Sequence, residues 1–158
     1  MKDRLMNAEN LVELPLFQGL NLAHLALLAS GVEQECYAPD ELIFAQGDRA
    51  SKLFILRQGR VAIRYKPYDG EVLPVAEIEP NGVFGWSAAL GRSSYTSCAA
   101  CVEPSVMLSM RGDSLKQLCE EHPETGVIIL ERLAEVIAQR LQNTHTHVIE
   151  LLRNGVNS

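Results

Sequence analysis

Cys98 and Cys101 have the spacing at which thiols bind zinc or form redox-active dithiols. The other two cysteines, at positions 36 and 119, stand alone, and no second pair with metal-ligand spacing follows. The segment around Cys98 reads as a β-strand, in which residues three positions apart point to opposite faces. A reactive dithiol also draws its thiolate character from a helix N-terminus, which a strand lacks. We therefore expect these cysteines to be small buried residues.

The histidines do not predict a metal centre either. His145 and His147 lie two positions apart in a predicted helix, so their side chains point in different directions. His24 and His122 are expected at the surface or at helix ends. The sequence also lacks the motifs of serine hydrolases, zinc proteases, P-loop proteins and dinucleotide-binding folds. The prediction is a protein that is not an enzyme and has no metal ligands.

Charge restricts the partners of the chain. It has 20 acidic and 14 basic residues, which gives a formal net charge of −6. The densest basic cluster, Arg60, Arg64 and Lys66, alternates with apolar residues, as on the solvated face of a strand. DNA-binding surfaces need clustered cations to neutralise phosphates, so we expect no direct nucleic-acid binding. The absence of a long apolar stretch and of a signal-like N-terminus predicts a cytoplasmic protein without membrane contact.

Any binding residues must be positioned by the central part of the chain, from about residue 34 to 110. Short apolar runs there alternate with period two, as in Val61, Ile63 and Tyr65, which is typical of strands. Turn signals such as Gln58-Gly59 and Pro80-Asn81-Gly82 separate the runs. Many short strands at regular spacing, with no helices between them, predict an antiparallel roll or barrel.

Helical patterns flank this β region on both sides. Apolar residues recur at helical steps within the first thirty positions. After Met110, Ser114 fits the N-cap of a short helix that ends near Glu121. Pro123 then suits the first turn of a long helix that continues to about residue 153. The predicted division is residues 1–121, with the N-terminal helices, the β-roll and the short helix, and residues 122–154, with the long helix of the same domain.

The long helix carries an apolar seam of about three and a half heptads. Its positions alternate at steps of three and four, as in a coiled coil. One interpretation is a single amphipathic helix that packs entirely on its own domain. We favour a homodimer through this helix, because its C-terminal half extends beyond any plausible roll. The seam consists of Val127, Leu130, Ala134, Ile137, Leu141, Thr144, Val148 and Leu151.

Three segments in this order resemble the cyclic-nucleotide-binding domain family, which includes the sensor half of the catabolite activator protein. They are Ile43–Asp48 (IFAQGD), Leu53–Gly59 (LFILRQG) and Val83–Gly85 (VFG). The resemblance covers roughly residues 16–141. It implies a mainly β fold, a double-stranded β-helix (jelly roll) of about eight strands with N-terminal helices and a long C-terminal helix. It also implies a regulatory binding module whose ligand is a cyclic nucleotide, cAMP or cGMP.

In that family, the segment after the Phe-Gly pair is a phosphate-binding cassette. A Glu next to the Gly accepts the ribose 2′-hydroxyl, and an Arg some ten residues later pairs with the phosphate. This chain has Trp86 at the Glu position and Tyr95 at the Arg position. The resemblance places the candidate ligand-binding residues at Gly85, Trp86, Ser87, Ala88, Ser94, Tyr95 and Thr96.

The two replacements predict weak or altered nucleotide affinity. Each charged hydrogen bond contributes roughly 1.5–3 kcal/mol, so the loss of both would weaken binding by roughly two to four decades. Tyr95 could still donate one neutral hydrogen bond. We expect Arg92 to be an exposed loop arginine, and the alternative is that it enters the cassette in place of the missing arginine. Trp86 is either a plug that fills the pocket or a stacking surface for another ligand.

Two functions remain open on the sequence alone. The favoured one is a sensory module whose ligand enters beside the cassette and is covered by the long helix near Leu133 and Ile137. The alternative is a structural or interaction protein that binds no ligand and uses the roll and the helix to dimerise or to dock a protein partner.

Overall fold

The computed structural model describes residues 8–156, which form two four-stranded antiparallel sheets with helices at both ends of the chain. One sheet has the strand order β1-β8-β3-β6 and the other β2-β7-β4-β5. The predicted fold is confirmed. The strands are β1 (Glu33–Tyr37), β2 (Leu42–Phe44), β3 (Lys52–Gln58), β4 (Val61–Tyr65), β5 (Leu73–Ile78), β6 (Val83–Phe84), β7 (Cys98–Cys101) and β8 (Ser105–Arg111). The helices are α1 (Ala8–Leu11), α2 (Leu22–Ala29), α3 (Gly112–Glu121) and α4 (Pro123–Val156).

Strand β3 contributes side chains to two separate cores. Because successive strand residues point to opposite faces, Leu53 and Ile55 pack against the helices. Phe54 and Leu56 pack between the two sheets instead. All four side chains are at most 3% exposed. Strand β3 is therefore buried on both faces, by the core shared with the helices on one side and by the core between the two sheets on the other.

The turn between β3 and β4 requires glycine. Gly59 has a φ of +98°, a conformation that side-chain-bearing residues rarely adopt. A Cβ atom there would also lie 2.2 Å from Ser105 Oγ and 2.5 Å from the Pro104 carbonyl oxygen. Gly59 thus allows β3 and β4 to reverse directly beside the start of β8.

Helix α3 begins two residues earlier than the predicted N-cap at Ser114. It starts at Gly112, directly after β8, and its N-cap residue Arg111 makes no side-chain capping bond. The Gly112 N–H donates to the Ser51 carbonyl, 3.0 Å away, and its Cα packs against Ala88. Backbone contacts with the roll, and not a capping side chain, therefore fix the start of α3.

Helix α4 packs on the roll along part of its length only. Ile129 and Leu133 are at most 1% exposed, in the core shared with the N-terminal helices. The seam residues Val127, Leu130 and Leu141 are 52%, 38% and 66% exposed, respectively. The side chains of Val148 and Leu151 lie outside the described residues. None of the described helices is long and apolar enough to cross a membrane.

Candidate functional site

A cavity of about 280 Å³ lies between the β-roll and the middle of α4. The roll contributes aromatic and aliphatic walls together with the segment that follows β6. Helix α4 contributes four residues from one face over two turns, of which Leu141 remains 66% exposed. The lining residues are Phe44, Ile63, Val75, Phe84, Gly85, Trp86, Ser87, Tyr95, Thr96, Ser97, Ile137, Arg140, Leu141 and Thr144.

Gly85 starts the segment that forms the floor of this cavity. Its φ of +73° and ψ of 26° place it in the left-handed region, and a single 3-10 turn, Trp86–Ala88, follows. A Cβ atom on Gly85 would lie 3.1 Å from the Phe54 ring and 3.2 Å from the Lys52 carbonyl oxygen. The backbone conformation and the close approach to β3 both favour glycine here.

Trp86 forms one side of the cavity and stacks against a cation from α4. The guanidinium carbon of Arg140 lies 4.7 Å from the centre of the indole ring. Arg140 Nη1 also donates a hydrogen bond to the Val83 carbonyl oxygen at 3.0 Å. Trp86 is half-buried and leaves the cavity open, so it acts as a wall and a stacking surface for Arg140 and does not fill the pocket.

Arg140 is the charge that the sequence analysis missed. Burial lowers the pKa of Arg140 to about 10, so the guanidinium is still a cation at neutral pH. Among the described residues, no carboxylate lines the cavity or forms an ion pair with Arg140. The cavity therefore contains one cation, several hydroxyl groups and apolar walls, a combination that suits an anion with an apolar body.

Tyr95 lies in the wall of the cavity, but its hydroxyl is already engaged. The ring stacks on Phe44 with the ring centres 3.8 Å apart, and the side chain is 5% exposed. The hydroxyl donates to the Lys52 carbonyl oxygen at 2.6 Å and accepts from the Lys52 N–H at 3.0 Å. Burial accordingly raises the pKa of Tyr95. In this conformation Tyr95 is a structural wall, and the neutral hydrogen bond expected from it is used within the protein.

The structure brings five of the seven candidate residues to the cavity. Gly85, Trp86, Ser87, Tyr95 and Thr96 line it.

Ala88 and Ser94 do not line this cavity. Ala88 faces Gly112 at the start of α3, and Ser94 forms an isolated backbone bridge with Arg49. Arg92 is exposed and lines a separate groove together with Lys116. Arg92 is thus an exposed arginine, as favoured from the sequence, and it does not line the roll cavity.

The contribution of α4 was only partly predicted. Ile137 lines the cavity, as expected for a covering helix, whereas Leu133 is buried in the other core. Arg140 and Thr144 are four positions apart and therefore share a helix face, and the Thr144 hydroxyl donates to the Arg140 carbonyl at 2.9 Å. The available signal was Thr144 itself, because a hydroxyl interrupts an otherwise apolar seam at the point where the helix passes the cavity.

Comparisons with known proteins agree with this architecture. The family model for the cyclic nucleotide-binding domain matches residues 34–122. A Mycobacterium tuberculosis protein described as a CRP-like cAMP-activated global transcriptional regulator is 26% identical over 148 residues, which is 94% of this chain and 64% of that protein. The chain thus spans less than two thirds of this relative.

Solved structures show the same fold. A cyclic nucleotide-binding domain from Methylobacillus flagellatus has a TM-score of 0.79 at 17% identity, with 92% of this chain and 86% of that chain covered. The Thermus thermophilus catabolite activator protein has a TM-score of 0.68 at 25% identity, with 87% and 62% covered. The segment that matches the family model, residues 34–122, includes β2 to α3. It therefore contains the Gly85 turn and most of the cavity wall. This chain belongs to the cyclic nucleotide-binding domain family.

Proposed function

We propose that this chain is a non-catalytic regulatory module that binds a small anionic ligand in the cavity between the β-roll and α4. The observation that supports this proposal most is the Arg140 guanidinium, which is partly buried between apolar walls and has no carboxylate partner among the described residues. A buried cation is costly unless it is paired. A bound anion would supply that partner, so we expect the cavity to favour anions over neutral ligands.

A cyclic nucleotide, cAMP or cGMP, is one candidate ligand, with weak or altered affinity. Arg140 offers the phosphate one charged contact, from α4 instead of from the cassette. No described carboxylate lines the cavity to accept a ribose hydroxyl, since Trp86 occupies that position. The missing carboxylate contact alone would weaken nucleotide binding by roughly 1.5–3 kcal/mol. An anion with an apolar body and no ribose avoids this loss, so aryl or alkyl carboxylates are the matching alternative.

The regulatory role also follows from where Arg140 lies. A ligand shifts a conformational equilibrium only if it binds one state more tightly. Because the cation belongs to α4 and the hydroxyls of Thr96 and Ser97 belong to the roll, an anion held by both would favour the state in which α4 is docked. The state of α4 would then be transmitted through the exposed residues of its seam, among them Val127, Leu130 and Leu141, by homodimerisation or by a protein partner. Because the chain has a formal net charge of −6, we propose that it makes no direct contact with nucleic acid.

The alternative function is a ligand-free interaction protein. One observation favours it, namely that Arg140 already has two partners, the Trp86 ring and the Val83 carbonyl oxygen. In that case the guanidinium would hold α4 on the roll without any ligand. The exposed residues of the seam would then be the surface that binds a second copy or a protein partner.

The single tryptophan makes a direct binding experiment possible. Trp86 is the only tryptophan of the chain and lines the cavity, so its fluorescence reports on ligands that enter the cavity and pair with Arg140 beside the indole ring. We would titrate the protein with cAMP, cGMP, a naphthoate and a medium-chain fatty acid, and would record thermal unfolding in parallel. A ligand at about 100 times its Kd should add roughly 2.7 kcal/mol of stability.

Two arginine variants separate the functions. If an anion binds at Arg140, Arg140→Gln should weaken binding roughly 10- to 150-fold, since it removes one charged hydrogen bond. The matched control Arg92→Gln removes an exposed arginine outside the cavity and should leave the affinity unchanged. Unchanged fluorescence and melting with all four ligand classes would favour the ligand-free function. Equal affinity in both variants would refute the role of Arg140.

A further inference from the structure

A cluster of two histidines and one glutamate lies outside the ligand cavity, where α2 contacts the short connection between α3 and α4. His24 is in the first half of α2, His122 is the C-cap residue of α3, and Glu124 is in the first turn of α4. Glu124 Oε1 lies 3.8 Å from His24 Nε2 and 3.9 Å from His122 Nδ1. One donor atom from each residue lies within 4.8 Å of the other two.

These distances are close to those of a zinc site. Zinc binds nitrogen and oxygen at about 2.0–2.2 Å in tetrahedral geometry, which places neighbouring ligand atoms roughly 3.3–3.6 Å apart. Both contacts of Glu124 exceed this separation by only a few tenths of an ångström. The Glu124 side chain is 68% exposed, so it can move by that amount without disturbing the packing.

A buried hydroxyl orients the first histidine. His24 Nδ1 lies 2.5 Å from the Oγ1 atom of Thr125, a residue that is 4% exposed. When Nδ1 carries the proton and donates a hydrogen bond to Thr125, Nε2 keeps a free lone pair at 3.8 Å from Glu124 Oε1. Ligand histidines in metal proteins are oriented by such a partner on the second ring nitrogen. Thr125 is therefore a positioning residue for His24.

The second histidine must rotate to bind the same ion. The His24 and His122 rings are stacked, with centres 3.8 Å apart and planes at 15°, and a metal ion lies in the plane of each imidazole that binds it. His122 is the ring that can rotate, because its side chain is 33% exposed, compared with 17% for His24. Its charged neighbour Glu124 is exposed as well and can follow the rotation. Its backbone N–H donates to the Leu118 carbonyl at 2.8 Å, which keeps the main chain in place.

We propose that His24, His122 and Glu124 form a binding site for Zn²⁺, with water as the fourth ligand. Two imidazoles and a carboxylate are a ligand set that suits zinc. The ion would join α2 to the first turn of α4, the helix that carries Arg140 and Ile137 to the cavity. Zinc would thus hold the start of α4 against the N-terminal helices. The position of α4 would then depend on zinc as well as on the ligand in the cavity.

Zinc binding is measured by competition with a chromophoric chelator on the purified chain, and Co²⁺ absorption reports the coordination geometry. The wild type should bind one equivalent. His24→Gln, His122→Gln and Glu124→Gln should each lower the affinity at least about tenfold. The control is His145→Gln/His147→Gln, which removes the only other histidines of the chain and should bind like the wild type. Glu124→Gln is at an exposed position and keeps the test valid if a histidine variant does not fold.

Thr125 provides a second readout. Thr125→Val should weaken zinc binding roughly tenfold or more, and Thr125→Ser should restore it, because only the hydroxyl orients His24. The proposal is overturned if all three cluster variants bind zinc like the wild type, or if binding disappears in the His145→Gln/His147→Gln control instead. This result is independent of ligand binding in the roll cavity, since neither histidine lines it.

Discussion

The position of Tyr95 leads to a test that needs no ligand. The family places a phosphate-binding arginine at this position, whereas here the Tyr95 hydroxyl makes two hydrogen bonds with the backbone of Lys52. Tyr95→Phe removes that hydroxyl and keeps the ring stacked on Phe44. If Tyr95 is a structural wall, the variant should lose stability and leave the cavity walls in place.

The expected magnitude follows from the two bonds. A neutral hydrogen bond contributes a net 0.5–1.5 kcal/mol, so the loss of both costs about 1–3 kcal/mol. For a chain of this size, each kcal/mol lowers the Tm by roughly 2–4 °C, so we expect a decrease of about 2–12 °C. Tyr95→Arg should cost more, because it also removes the stacked ring and places a cation where the side chain is 5% exposed.

Urea and thermal unfolding measure this loss. Tyr68→Phe is the matched control, since Tyr68 is 99% exposed and loses no buried hydrogen bond. A change in the free energy of unfolding below about 0.5 kcal/mol for Tyr95→Phe would show that the hydroxyl is not held as described. It would then be available to a ligand, and the interpretation of this wall would be wrong.

Three further predictions concern acid stability, the cassette turn and the helix seam. Burial raises the pKa of Glu35, but three side-chain hydrogen bonds and the charge of Lys52 together lower it by more, so the net pKa is below its usual value of 4.5. The stability that this group contributes is present above pH 4.5 and is lost as the pH falls through the lowered pKa. Glu35→Gln should therefore reduce the decrease in unfolding free energy between pH 7 and pH 3. An unchanged decrease in the variant would contradict this. Gly85→Ala should cost about 1–3 kcal/mol in urea unfolding, because alanine is strained at a positive φ and meets Phe54; an unchanged midpoint would show that the turn can relax. Leu141→Glu should convert a seam dimer to a monomer in light scattering after size exclusion, with the neighbouring Gln142→Glu as control; a wild-type monomer, or a dimer in both variants, would exclude the seam as the interface.

The fold could be predicted because the relevant signals are local. The period-two alternation of Val61, Ile63 and Tyr65 and the turn at Gly59 belong to neighbouring residues. Pro123 marked the start of α4, which the structure places at that residue. By contrast, Ser114 had the right type for an N-cap, but contacts with distant parts of the roll determine where α3 begins. Such contacts have no signature in the sequence around them.

The cavity was predictable only in part, for the same reason. The segment Gly85–Ser87 lies where the family resemblance placed it, since its position depends on the adjacent strand. The cation of the cavity comes from Arg140, and its role depends on how α4 lies across the roll. Similarly, His24 is 101 positions away from its partner Thr125. The sequence contains both residues, but only the packing of α2 against the start of α4 makes them neighbours.

The two-sided burial of β3 also determines how the molecule opens. Neither the helices nor the second sheet can detach without exposing one row of β3 side chains to water, so the two layers should unfold in a single cooperative step. The backbone amides of β3 and its partner β8 should then be the last to exchange with deuterated solvent. Because Gly85 packs against β3, we expect the floor of the cavity to keep its shape until the whole domain unfolds.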